Sequence, residues 1–224
     1  MSVDFDISFI AAPDKQARAV FFDDDRVKSL VSIINDRSVE YIAEVIFRFT
    51  TKKHFDAEFD GFEIDAYNQN SDDSIFDYSN YLKRIYEEVD ISTLGNLRGA
   101  ILERLVFEFK KPLYDDHLSW IETFGYIANK SIQSNKSIDV AAWSQGRERG
   151  ECAECAISVT FVKEDTKKEE FRELQRIIKL ISNKLNSYFV SFANTASLQQ
   201  TVGKFSDVEL IGRDRLINFL GTKL

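Results

Sequence analysis

The stretch RGECAECAISV, residues 149–159, holds the chain's two cysteines three positions apart, with Glu154 between them. Two readings compete: a thiol site on Cys152 and Cys155, or a strand that aims Glu154. A structural zinc site needs four ligands, and His54 and His117 are isolated from each other and from the cysteines. A thioredoxin-like pair opens a helix, whose N-terminus lowers the thiol pKa. This pair instead leads into residues of strand character. In an extended chain, positions i and i+3 point to opposite faces, so Cys152 and Cys155 cannot share a metal or close an unstrained disulfide. The same geometry puts Glu154, Ala156 and Ser158 on one face.

Read as a strand, the stretch organises its neighbours. LSWIETFGYIAN (118–129), SIDVAAWS (137–144) and ECAISVTFV (154–162) read as consecutive antiparallel strands joined by turn-like segments. Asp139 lies fifteen positions before Glu154, a separation that a hairpin closes. An acid within an apolar strand is costly to bury unless it has a partner, which marks both residues as candidates. Two carboxylates on adjacent strands facing one side make a site for a hard divalent cation, and such an ion activates water and stabilises phosphoryl charge. The run of acids at Asp23, Asp24 and Asp25 reads instead as a helix start complementing the helix dipole.

Ahead of these strands, TLGNLRGAILERLVFEF (93–109) is an amphipathic helix with Ser92 as its cap, ending before Pro112; Glu103 lies off the centre of its apolar stripe. Behind them, KEEFRELQRIIKLISNKL (168–185) is an amphipathic helix and SYFVSFANT (187–195) a buried strand. DVELIGRDRLINFL (207–220) adds a strand and a helix. Residues 3–10 alternate as a strand, 24–35 and 74–88 read as helices, 38–50 as a helix turning into a strand, and 55–68 as a hairpin turning near Gly61.

The 224 residues, 44% of them hydrophobic, are enough for a substantial core, and the 19 Phe and 8 Tyr belong mostly to it. No run approaches the ~20 apolar residues that cross a bilayer, and the acidic start is unlike a signal peptide. With few cysteines, this points to a cytoplasmic protein with no membrane partner. A net charge of −8 argues against a broad cationic surface for nucleic acid, without excluding a local basic groove.

The ordered set RGAILERLV, IDVAAW, ECAECAISV, amphipathic helix and YFVSFA resembles the PD-(D/E)xK, or restriction-endonuclease-like, nuclease superfamily. The matching order covers about residues 92–194. The resemblance implies an α/β fold, a restriction-endonuclease-like core with a mixed sheet flanked by helices over 92–224; ordinary domain sizes then leave residues 1–91 as an α+β extension for substrate or partner recognition. It also implies a Mg²⁺- or Mn²⁺-dependent nuclease acting on DNA, with a protein partner or homodimer as a further option. Asp139, Glu154 and the backbone carbonyl of Cys155 would hold the metal, and Glu103 would reach the same metal or its water. Apart from the resemblance, Arg98, Arg147 and Arg149 are candidates for phosphate contacts near such a site, against the commoner role of arginine as an ordinary surface charge. The family lysine should stand at 156, where this chain has alanine. Lys163 and Lys179 are weak substitutes, the first by strand parity and the second by its place on the next helix. Two readings of Ala156 stay open: an inactivated nuclease, or a natural nuclease-like subunit that assembles with another protein.

Overall fold

In a computed structural model the described residues are 7–11, 16–87, 89–90, 92–114, 117–127, 138–144, 146, 149–158, 169, 172, 176, 185–202 and 207–221. After strand β1 (Ile7–Ala11) come helices α1 (Gln16–Phe22), α2 (Asp25–Ile33), α3 (Val39–Arg48), α4 (Lys52–Asn70), α5 (Ser74–Glu87) and α6 (Leu94–Lys110). A 3-10 turn, Lys111–Leu113, takes up Pro112 and leads to strands β2 (His117–Ile127), β3 (Ile138–Ser144) and β4 (Arg149–Ala156). Strand β5 (Leu185–Ser191), helix α7 (Thr195–Val202), strand β6 (Glu209–Ile211) and helix α8 (Arg213–Gly221) follow. Of the helix expected over 168–185, only residues 169, 172 and 176 are described, and all three are helical.

The strands form one mixed sheet in the order β1-β2-β3-β4-β5-β6. Pairing is antiparallel from β1 to β4 and parallel from β4 to β6; a parallel pair needs a crossover connection between its strands. This mixed α/β architecture, a sheet flanked by helices, is compatible with a restriction-endonuclease-like core. The expected three-strand antiparallel unit is β2, β3 and β4, but the third strand is Arg149–Ala156 rather than 154–162: residues 157 and 158 follow it as a bend, and 159–162 lie outside the described residues. The strand of the first 91 residues, β1, joins this same sheet beside β2.

Strand alternation gives the sheet two different faces. Val140, Ala153, Ile157, Val190 and Phe192 point into a core shared with buried side chains of α2 through α6 and α8. The intervening positions, among them Glu154, Ala156 and Phe189, point to the other side.

Two expectations fail in the helical half. Residues 55–68 lie within the nineteen-residue helix α4, with no hairpin. Phe55, Phe59 and Glu63 recur every four residues on its buried face, and the Phe55 ring stacks on Phe59 at 4.1 Å and on Tyr86 at 4.0 Å. Gly61 stands on the open side, where a glycine costs a helix only ~1 kcal/mol. Residues 38–50 give helix α3 and no strand: Phe49 leaves the helix fully buried against the rings of Phe55, Phe59 and Phe62. Aromatic packing thus overrides the strand propensity of this segment. At α6 the capping residue is Thr93 rather than Ser92, and the Thr93 hydroxyl donates to the Asp90 carbonyl.

Candidate functional site

Strands β3 and β4 pair through Val140↔Ala153, so one step further along Asp139 stands across from Glu154. Both carboxyl groups are buried, Asp139 at 5% exposure and Glu154 at 1%. Asp139 Oδ2 accepts the backbone N–H of Cys155 at 2.7 Å, which ties the start of β3 to the far end of β4 and fixes that side chain against its neighbour strand. A carboxylate accepting a backbone N–H makes one of the stronger hydrogen bonds. Ala156 is two positions beyond Glu154, on the same side of the strand, buried at 8% and paired with Ser191 of β5. The sequence expectation that Asp139, Glu154 and position 156 share one face therefore holds in the register of the sheet.

The thiols occupy opposite sides. Cys152 is buried with its sulfur 3.0 Å from Ser187 Oγ, and burial, aided by the nearby Glu154 and Glu151, pushes the thiol up to about 12. Cys155 is half-buried and packs against the opposite, helical core. Neither forms a disulfide.

Helix α6 covers the other face of the sheet. Its Val106 and Lys110 line a small cavity of about 10 Å³ with Val140, Ala142, Glu151 and Ala153. Glu103, buried at 6%, belongs to this helix. Among the described residues no three or more His, Cys, Asp or Glu side chains gather as a metal-holding group. The register of the sheet sets Asp139 across from Glu154, and Glu103 belongs to the helix that packs on the sheet.

Arg98 is not placed for phosphate contact. It is buried at 7%, and its guanidinium donates to the Ile46 carbonyl at 2.9 Å from Nε and 2.5 Å from Nη2. Burial pushes its pKa down, and Tyr86 stands beside it. It closes the end of α3 from within the core. Arg147, Lys163 and Lys179 lie outside the described residues, and Arg149 begins β4 opposite Ser144.

One cluster has no counterpart in the sequence reading. Lys110 Nζ lies 3.0 Å from Glu151 Oε2, with both side chains nearly buried, and 4.0 Å from the centroid of the Phe219 ring. Burial and the Glu151 charge push the Tyr114 and Tyr188 phenols up. The one available signal was parity: Glu151 is an odd partner to Glu154, on the face that meets the last turn of α6.

The fold is that of a mixed α/β protein compatible with a restriction-endonuclease-like core. No protein-family model matches the sequence, and no curated protein matches it. Among solved structures, the chain is similar to protein VC1899 from Vibrio cholerae, at 15% identity and a TM-score of 0.44, covering 96% of this chain and 57% of that one. It is also similar to Can2 from Sulfobacillus thermosulfidooxidans, solved in complex with cyclic tetra-adenylate, at 10% identity and a TM-score of 0.38, covering 85% and 55%. This chain therefore spans somewhat more than half the length of either protein. Likenesses of this degree establish neither family nor activity. No helix among the described residues is long and apolar enough to cross a membrane.

Proposed function

We propose that this chain is built as a divalent-metal-dependent nuclease that hydrolyses DNA phosphodiester bonds, impaired by alanine at position 156. The observation that carries the reading is the pair formed by Asp139 and Glu154, with Asp139 held by the Cys155 N–H at 2.7 Å.

The donor set fits Mg²⁺ or Mn²⁺. Mg²⁺ binds hard oxygen ligands, keeps several waters and commonly takes one or two carboxylates from a protein, so Asp139, Glu154 and the Cys155 carbonyl suffice without a third acid. A bound ion would activate water and stabilise phosphoryl charge. Asp139 and Glu154 would hold it, and the N–H of Cys155 keeps Asp139 from turning away. A lysine at 156 would place an ammonium group on the same face, to orient the attacking water and offset charge developing at phosphorus. Alanine offers neither, a loss on the order of 10²–10⁴ in rate.

The test is to make Ala156→Lys and assay DNA cleavage with Mg²⁺ and with Mn²⁺, alongside Ala156→Lys/Asp139→Ala. Cleavage that appears with the lysine and vanishes without Asp139 supports the reading. A folded Ala156→Lys chain that cleaves neither DNA nor RNA would favour a second reading, a catalytically silent nuclease-like subunit working in a protein complex. Ala156 itself and the net charge of −8 favour that alternative.

A further inference from the structure

On the helical half, α3, α4 and α5 enclose a groove of about 660 Å³ that continues, through Arg37, Asp72 and Tyr78, into a shallower hollow of about 620 Å³. Its wall is aromatic: the Tyr41 and Phe62 rings stack at 5.8 Å with 19° between their planes, and Tyr78 stands on the opposite helix. The Tyr41 hydroxyl lies 2.8 Å from Ser79 Oγ, and burial raises its pKa to about 12.

The charges around the wall are unbalanced. Arg37 and Arg48 face Glu40, Glu44, Asp65 and Asp72. Glu44 is paired with Arg213 at 3.6 Å and Arg48 with Glu58 at 3.3 Å, which leaves Arg37 against three carboxylates. Asp72 is further engaged by the backbone N–H and hydroxyl of Ser74. Glu40 and Asp65, both exposed, have no ion-pair partner among the described residues. The groove also shows how it receives a cation: the Arg48 guanidinium lies 5.3 Å from the centroid of the Phe62 ring, in a cation–π geometry.

We infer that this groove docks an extended, arginine-bearing segment of a partner protein, with guanidinium groups held by Glu40 and Asp65 and laid against the aromatic wall. Charge decides against a phosphate-bearing occupant, since three acids facing one arginine repel a polyanion. The two joined hollows suit an extended chain better than a compact molecule. The inference goes beyond the nuclease reading and stands or falls without it.

The probe is a labelled peptide of alternating arginine and glycine, titrated with the full chain and followed by fluorescence anisotropy. Binding should weaken with added salt and fall about tenfold in Glu40→Gln/Asp65→Asn, from the loss of two ionic contacts. Tyr78→Ala, which removes part of the wall without touching a charge, should weaken it too. Asp25→Asn/Asp56→Asn changes the net charge equally outside the groove and should leave binding as it was. Equal losses in that control, unchanged binding in both groove variants, or spermidine or a single-stranded oligonucleotide binding at the groove more tightly than the peptide would each overturn the inference. Melting curves for each variant confirm that it is folded; should the Glu40/Asp65 variant fail to fold, Tyr78→Ala against the control carries the decision alone.

Discussion

Cys152 illustrates what parity alone decides about a residue. Its thiol is buried beside Ser187 Oγ and near two glutamates, so the fold favours the neutral form and raises its pKa from 9.0 to about 12. At pH 8 that lowers the thiolate fraction about a thousandfold. In a Cys155→Ala background, Cys152 should therefore resist a thiol reagent until denaturant is added. Rapid labelling of the folded variant would mean that the thiol is accessible and reactive after all. That Cys152 and Cys155 take opposite faces was readable from their three-residue spacing in a strand, and so was the shared face of Glu154 and Ala156. Arg98 was not readable: its acceptor, the Ile46 carbonyl, lies 52 positions away, and no local pattern separates a buried arginine from a surface one. Glu103 also stood off the centre of its helical stripe in the sequence, yet the fold buries it at 6%.

At the scale of elements, helical periodicity found α2 and α5, whose apolar residues recur on one buried face, while β3, β4 and β5 were legible as short apolar runs buried on both faces of the sheet. It failed over 55–68, where Gly61 amid aromatic residues looked like a turn between strands, and where the partner that selects the helix, the Tyr86 ring, belongs to α5. Long-range packing of that kind has no local signature. The contact between α6 and β4 was hidden for the same reason, since Lys110 and Glu151 look like ordinary surface charges until they are paired. Their pair can be dissected. Glu151→Gln leaves Lys110, at 4% exposure, without its counter-charge, and should cost about 3–5 kcal/mol in urea unfolding. Lys110→Met/Glu151→Leu replaces both charges with apolar groups of similar size and should recover most of that loss. A Glu151→Gln chain as stable as the parent would show that the pair carries no net weight.

Across the whole molecule, residues of α2 through α6, the sheet and α8 meet in one contiguous core, so helices from the first 91 residues and strands from the remainder share buried contacts. Several ionisable groups within or beside that core are held in their neutral forms. Burial raises the Tyr41 phenol from 10.0 to about 12, the Cys152 thiol from 9.0 to about 12, and the Tyr86, Tyr114 and Tyr188 phenols in the same direction. In every case the unfolded chain releases its proton first as pH rises, so above these ordinary values the folded state binds more protons and stability falls with pH. The stabilising contribution is fully present below about pH 9 and is lost progressively toward pH 12. Urea midpoints should therefore be level through the neutral range and decline from about pH 9 upward, with a steeper fall as the unfolded tyrosines begin to titrate near pH 10. Tyr41→Phe removes one contributor and should flatten the decline, at the expense of the hydrogen bond between Tyr41 and Ser79 near neutrality. Midpoints that hold steady to pH 11 in the parent chain would show that these groups ionise as freely in the folded protein as in the unfolded one, and hence that the core around them admits water.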